Sequence, residues 1–546
     1  MDKIFGIDLG TTYSCIAYVD EHGKPVVVPN FENDSTTPSV VCFEDKESII
    51  VGKEAKNMLK TDHEKVVAFI KRNMGNPNYL FSCNNIKYKP EEISAYILKK
   101  LVKDASENLG IKIKDVVITC PAYFGDSERK ATEKAGEIAG LNVMSLINEP
   151  TAAALAFGID KVIDQTVLVY DLGGGTFDVT MIQIKPQLIK VVVTGGDHNL
   201  GGKDWDDILI TFLAEQFKEK TNIKDDILSD PKTLGELQIE AEKAKITLST
   251  RPKKTVRILY GKELEEIEIS REKFEELTKD LANKTIMLTN QMLDDAKKEK
   301  GICSFDKILL VGASTKMPQI KKILENNYPN IPIEPFEPEA SVAKGASLYG
   351  WQIAVNKMVE IEIEKLTGKK DGDISEIERN KVEQKVADKT GFSLPAVKRA
   401  KIKPINVISK SFGVLAYVNE TEQKVVNMIT KQTEIPVENS QNFSTHKANQ
   451  DNIEVVVYEN ELSDNQVDIS MSKEIVKGLI EGIPSGLPAG SPIQVTFKVN
   501  DEGRLDIQAI ELTGKKVLNL TVETTSVISG QELEDAKARS NAIKLS

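Results

Sequence analysis

Two short apolar runs, each interrupted by an acidic residue and a glycine turn and then resumed, set the pattern of the chain. Residues 166–170 are β-branched and apolar, Asp171-Leu172-Gly173-Gly174-Gly175-Thr176-Phe177-Asp178 breaks the run, and residues 179–184 restore strand character. The same order stands near the start, in Phe5-Gly6-Ile7-Asp8-Leu9-Gly10-Thr11-Thr12-Tyr13-Ser14-Cys15-Ile16. Each stretch predicts a tight strand-turn-strand hairpin, and two related hairpins predict two related lobes.

Around them the period alternates. Residues 1 to about 45 read as strands with turns at Gly10 and His22-Gly23, and 30–39 form a polar loop. A helical pattern covers 51–75, ending in Phe69-Ile70-Lys71-Arg72-Asn73-Met74-Gly75, and a second helix covers 90–109. A strand at 116–119, a polar helix at 127–139 and a helix opening at Asn148-Glu149-Pro150 follow, with Asn148 as N-cap and Pro150 in the first turn. Beyond the central hairpin come a strand at 188–194, a helix at 234–248, and a strand at 307–311 with a glycine turn and a helix from Pro318. Residues 359–401 are rich in Lys, Glu and Asp, with one helix from Ser375 to Lys389 stopped by Gly391 and another after Ser393; they read as a solvated helical linker. From Phe412 the period becomes two. Strands at 425–429, 452–458, 467–471, 493–499 and 505–510, with a turn at Asn500-Asp501-Glu502-Gly503, predict an antiparallel β-sandwich.

Composition narrows the class. At 546 residues the chain is too long for one core, and 71 basic against 83 acidic residues leave a formal charge of −12, which disfavours nucleic acid and anionic membrane as partners. Five cysteines, Cys15, Cys42, Cys83, Cys120 and Cys303, lack CxxC spacing and read as free thiols of a reducing compartment. The chain opens directly into a strand and holds no run of about 18 apolar residues. A soluble cytoplasmic protein is expected.

The candidate chemistry lies in the hairpins. Three glycines without Cβ let backbone N–H groups crowd an anion, and Asp171 and Asp178 are hard oxygen ligands suited to hydrated Mg²⁺. If both turns face one cleft, Asp8 and Asp171 meet across a nucleotide's phosphates. Alone, the central motif also admits a Gly-rich hairpin with a solvated aspartate, as the lesser alternative. The run Gly195-Gly196-Asp197-His198-Asn199-Leu200-Gly201-Gly202-Lys203-Asp204 superficially resembles a P-loop, but an extra glycine and the lack of Ser or Thr after the lysine exclude it. Lys71 on a partly apolar helix reads as a snorkelling surface lysine. Gly312-Ala313-Ser314-Thr315-Lys316-Met317-Pro318, a turn entering a helix, suits the floor of a nucleotide site or plain strand-to-helix packing.

Taken in order, the motifs at 8–14, 121–132, 148–158, 171–180, 196–206, 242–249 and 311–318 resemble the ATPase domain of the 70 kDa heat-shock chaperone family, the DnaK type, and the likeness continues over most of 405–530. The resemblance implies an α/β two-lobed, actin-like ATPase domain of duplicated ribonuclease-H-like lobes (1–357), a charged helical insertion and linker (358–403), an antiparallel β-sandwich that binds peptide (404–528), and a short tail (529–546) as a vestigial lid, the family's helical lid being absent. It implies ATP or ADP, Mg²⁺ and K⁺ as cofactors. Catalysis falls to Asp8, Lys71, Glu149, Asp171 and Thr176, with Lys71 orienting the attacking water, against the surface reading. The metal falls to Asp8, Asp171 and Asp178. The nucleotide falls to Gly10, Thr11, Thr12, Tyr13, Gly173, Gly174, Gly175, Gly196, Gly201, Gly202, Glu242, Lys245, Ser249, Gly312 and Ser314. Peptide contacts fall to Val414, Phe443, Ile453, Val455 and Ile493, which also suit a sandwich core, with Tyr417 and His446 as an arch. Pro121 and Arg129 pass the nucleotide signal outward. Unfolded or extended polypeptides are the implied clients, with a J-domain cochaperone and a nucleotide-exchange factor as helpers.

Departures from the family pattern, beside the adenine and in the linker, modify this. Ala313 and Lys316 replace a glycine and an arginine beside the adenine, which predicts weaker ATP affinity. Asn406 in Lys403-Pro404-Ile405-Asn406-Val407 replaces an aspartate, and with Pro404 and the preceding insertion it predicts weak coupling between domains. A nucleotide-held scaffold or assembly factor without refolding activity is the alternative function, and a metabolite kinase of the same fold is a third.

Overall fold

The computed structural model describes residues 3–158, 164–186, 188–402, 404–521 and 527–546. Lys403 and Val522, counted with the linker and the end of the sandwich, lie outside them.

The two hairpins do build two related sheets. In the first, strands Asn142–Asn148, Asp115–Cys120, Phe5–Asp8, Tyr13–Val19 and Pro25–Val27 lie side by side; in the second, Ile333–Pro335, Lys307–Val311, Gln165–Leu172, Phe177–Lys185 and Leu188–Asp197 repeat that order. The directions also repeat, since Phe5–Asp8 and Gln165–Leu172 each pair parallel on one side and antiparallel on the other. Each first strand therefore delivers its aspartate, Asp8 or Asp171, at the same edge of its lobe. Helix Ser341–Thr367 packs between the sheets, and it crosses Glu149–Gly158 so closely that a Cβ on Gly345 would lie 1.8 Å from the Ala152 carbonyl oxygen. Only glycine admits that crossing.

The 51–75 stretch corrects the helical expectation. Only Lys53–Asn57 is α-helical; 3-10 turns follow, and Val66–Ala68 is a strand pairing with Val40–Phe43. The β-branched Val66 and Val67 fit a pleated edge better than a helix, and sheet pairing decides the local conformation. Phe69 then turns left-handed, at φ 58°, into the 3-10 turn Ile70–Asn73 that carries Lys71.

The charged insertion is no solvated linker. The helix from Ser341 runs past the expected boundary at Met358 to Thr367. Helix Glu376–Thr390, capped by Ser375 and ended by Gly391, lays Val382 and Val386 into the core shared with Val355, Val359 and Ile363. Lys385 and Lys389 both reach Glu362, Lys401 reaches Glu383, and Phe392 meets Trp351 edge-on. Helix Leu394–Arg399, capped by Ser393, turns the chain into strand Pro404–Val407. That strand is not the first of the sandwich: it extends the second lobe's sheet, parallel to Leu188–Asp197. The departures at Pro404 and Asn406 do not prevent docking, since Pro404 opens the strand and Asn406 accepts a hydrogen bond from Thr151 at 2.9 Å.

Two antiparallel sheets form the sandwich. One holds Gln466–Val467, Gln423–Ile429, Ser411–Tyr417, Asn452–Asn460 and Ser472–Glu481; the other holds Val437–Ser444, Pro492–Val499, Leu505–Glu511 and Lys516–Thr521. The strand expected at 467–471 ends at Val467, because the Asp468 carboxylate accepts from the Ser470 N–H and nucleates a 3-10 turn.

The tail also departs from expectation. Helix Gly530–Ala542 rests on the first lobe, not on the sandwich, with Val527, Ile528, Leu533 and Ala536 inside that lobe's core. Lys544–Leu545 then adds a parallel strand to Ser48–Val51. Among the described residues no helix is long and apolar enough to cross a membrane.

Candidate functional site

A cleft of about 510 Å³ separates the two lobes. Asp8, Gly10, Thr11, Thr12, Tyr13, Lys71, Glu149, Asp171, Gly173, Gly174, Thr176, Glu242, Lys245, Ser249, Gly312 and Ser314 line it, so the structure brings most of the expected residues together.

The glycine loop is held from behind. The Gly173 carbonyl accepts from the Gly202 N–H at 3.0 Å and the Ser314 hydroxyl at 2.8 Å, the Gly174 carbonyl from the Lys203 N–H at 2.8 Å, and the Gly175 carbonyl from Arg72 Nε at 2.9 Å. With all three oxygens tied outward, the loop is organised to offer N–H groups to an anion. Gly175, Gly201 and Gly202 thus support the loop without lining the cleft, and a Cβ on Gly201 would lie 2.5 Å from the Gly175 nitrogen. Gly196 sits farther back, paired with Asp178 in the sheet.

Lys71 corrects the surface-lysine reading. It is 5% exposed and meets Glu149 at 2.5 Å. Burial alone would lower its pKa, but Glu149 and then Asp8 outweigh that and raise it, so Lys71 is held as a cation. Burial pushes Asp8 up to about 7, with Glu149 adding to it while Lys71 and the Thr119 hydroxyl, 3.0 Å away, oppose it. Asp171 is raised by burial and by Glu149, Asp178 and Asp8. Four buried or half-buried carboxylates therefore share one lysine, a surplus of negative charge that suits a divalent cation. Among the described residues no three acidic, His or Cys side chains converge tightly enough to chelate a bare ion. Asp178 is a correction: it does not line the cleft and accepts the Tyr123 N–H at 3.3 Å, on the side of the 121–124 turn.

Elsewhere along the cleft, Tyr13 donates to Glu242 at 3.0 Å, and Lys56 reaches both Glu242 and the Tyr13 hydroxyl, bridging the lobes. Lys245 meets Asp206 at 2.6 Å, and burial still pushes Asp206 up to about 6. The Ser249 hydroxyl turns back to the Lys245 carbonyl, and Lys316 is drawn to Glu339 at 2.6 Å. Lys56, Arg72, Asp204 and Asp206 escaped the sequence reading; each pairs with a residue more than 30 positions away, which no local pattern reveals.

Arg129 joins this site to the sandwich. Its guanidinium donates to the Phe124 carbonyl at 3.1 Å and to Asn148 at 2.6 Å, next to Glu149, and it lies against Gly503 of the sandwich. Pro121 opens the same turn, whose carbonyl accepts the Phe124 N–H. In the sandwich, Val414, Ile453, Val455 and Ile493 are buried core residues and Phe443 is half-buried against them. The rings of Tyr417 and His446 stack at 4.0 Å and 10°.

The Hsp70 protein family model matches residues 4–367 and 397–545, leaving out the helix Glu376–Thr390. The chaperone protein DnaK of Halobacterium salinarum is 35% identical over 99% of this chain and 78% of its own length. That of Thermotoga neapolitana is 37% identical over 98% of this chain and 83% of its own.

Proposed function

Since the chain belongs to the Hsp70 family, we propose that it is an ATP-dependent molecular chaperone whose interlobe cleft hydrolyses ATP and whose sandwich binds extended apolar polypeptide. The observation that carries this is the convergence of the Asp8 and Asp171 hairpins and the Lys71–Glu149 pair in one cleft. The glycine loop and the Thr11–Thr12 turn hold the phosphates; Asp8 and Asp171 would hold a hydrated Mg²⁺, which would supply positive charge to the phosphate oxygens. Lys71, cationic and fixed by Glu149, orients the attacking water, and Thr176 lines the same cleft. Positioning and charge carry most of phosphoryl transfer, so these fixed groups suffice as catalytic parts.

For the sandwich, the stacked Tyr417 and His446 form the arch, and an entering Leu or Ile side chain takes the place prepared by Val414, Phe443, Val455 and Ile493. That these side chains are largely buried favours a second reading, a nucleotide-held scaffold that takes no peptide. Fluorescent-peptide binding to the full chain in ATP and in ADP separates the two. Micromolar binding that Phe443→Ala abolishes supports the chaperone; silence with every Leu-rich peptide gives the case to the scaffold.

A further inference from the structure

Arg72 stands next to Lys71 in sequence and points the other way across the cleft. Its Nε donates to the Gly175 carbonyl at 2.9 Å, and its two terminal nitrogens donate to the two oxygens of Asp204 at 3.2 and 2.6 Å. Asp204 is itself fixed, since one of the same oxygens accepts the Gly201 N–H at 2.7 Å at the start of helix Gly202–Thr221. One planar guanidinium thereby joins three things: the Ile70–Asn73 turn of the first lobe, the glycine loop of the second, and the helix start behind that loop. Every other carbonyl of the loop is tied from within the second lobe; Gly175 alone is tied from the first. A second contact crosses at the same place, with Lys203 lying 5.4 Å from the centre of the Phe69 ring. Phe69 holds a left-handed backbone that a bulky residue seldom adopts and that surrounding contacts must maintain.

We propose that Arg72 is a positioning residue for hydrolysis, a latch that fixes the reach of Lys71 relative to the glycine loop when the lobes close. Lys71 and the phosphate-binding loop belong to different lobes, and a displacement of about 1 Å between reacting groups costs on the order of a hundredfold in rate. The Lys71–Glu149 pair cannot set that distance, because it lies within the first lobe. Arg72 sets it directly, one residue from Lys71 and on the last glycine of the loop. Lysine cannot replace it, because a single ammonium cannot hold the fork to Asp204 and the bond to Gly175 together.

The proposal rests on Lys71 as the water-orienting group, and the test separates the two. Arg72→Lys, Asp204→Asn, their double variant and Lys71→Ala are compared in the full chain by single-turnover ATP hydrolysis, ATP affinity and amide exchange of residues 173–176 without nucleotide. Arg72→Lys is expected to slow the chemical step at least tenfold while ATP affinity stays within threefold, to speed exchange in the glycine loop, and to be no slower when Asp204→Asn is added. An Arg72→Lys variant with the parent rate overturns the latch, as does an equal loss of rate and affinity or a fully additive double variant. If Lys71→Ala keeps its turnover, the role of Lys71 fails and a latch on its reach falls with it, whereas an Arg72→Lys variant at the parent rate beside an inactive Lys71→Ala overturns the latch alone.

Discussion

At the scale of single residues the site is a set of buried charges in which carboxylates outnumber the lysine they share. Lys71→Ala removes the cation that Asp8, Glu149, Asp171 and Asp178 share, and losing one preorganised group at such a centre costs on the order of a hundredfold. We therefore expect Lys71→Ala to bind ATP and lose single-turnover hydrolysis by about that factor; a variant that turns over like the parent would end the catalytic assignment. Lys56→Ala belongs to the same scale, since it frees Glu242 and Tyr13 in the cleft. Nucleotide should leave this variant several-fold faster with the chemical step unchanged, as stopped-flow release of a fluorescent ADP can show. How much of the site the sequence reveals follows from how local each part is. Asp8, Asp171 and the glycines sit in turns whose residue types announce them. Lys71 does not: its neighbours suggest a snorkelling helix, and only the left-handed Phe69 and a partner 78 positions away make it a buried cation. Arg72 and Asp204, 132 positions apart, are legible only in the folded chain.

Elements follow the same logic. The insertion helices are legible to within a residue or two because Ser375, Gly391 and Ser393 are strong local stops and starts. Where they pack is not legible, because the apolar stripe of Val382 and Val386 is short and surrounded by charge. Strand Val66–Ala68 is misread for the opposite reason: its local period looks helical, and only pairing with Val40–Phe43 makes it a strand. The packing of the insertion bears on the strand that follows it, because the helices hold its start while Ile189 and Lys190 hold its edge. Val386→Ala removes two buried carbons, worth about 1.5 kcal/mol at the usual value per group. It should lower the urea midpoint accordingly and speed amide exchange in Pro404–Val407. Destabilisation with unchanged exchange in that strand would mean that the insertion supports its own helix and not the linker.

In the whole molecule the sandwich is fastened to both lobes. Strand Pro404–Val407 enters the second lobe's sheet, Gln432 exchanges hydrogen bonds with the Thr194 backbone, Arg504 pairs with Glu133, and the 527–546 segment is built into the first lobe. Weak coupling remains the expectation from the altered linker, and peptide affinity compared with and without ATP tests it: a tenfold fall on adding ATP would overturn it. Between the domains, Glu459 is buried against the first turn of helix Asp126–Ile138, where burial raises its pKa, Lys410 and Lys473 opposing and Glu128 and Asp126 adding. Burial raises Asp126 as well, against Lys130. Separation returns both to the ordinary carboxylate range, so the docked form binds more protons. Docking should be tightest in acid and weaken as pH climbs from 4.5 through the raised docked value of Glu459. Energy transfer between dyes on the two domains should follow that trend, and Glu459→Gln should flatten it; a pH-independent signal in the parent would remove these carboxylates from the interface's energetics. The pairing of Lys544–Leu545 with Ser48–Val51 has a further consequence, in the order of synthesis. The Ile49 carbonyl receives the Ser546 hydroxyl across 497 positions, so that edge of the first lobe waits bare while the residues between are translated. At about 5 to 20 residues per second the wait is roughly 25 to 100 s. An uncovered edge is a template for the wrong neighbour, and its four-residue length keeps that risk small during the wait. One strand of the first lobe thus stays unshielded until its distant partner is made.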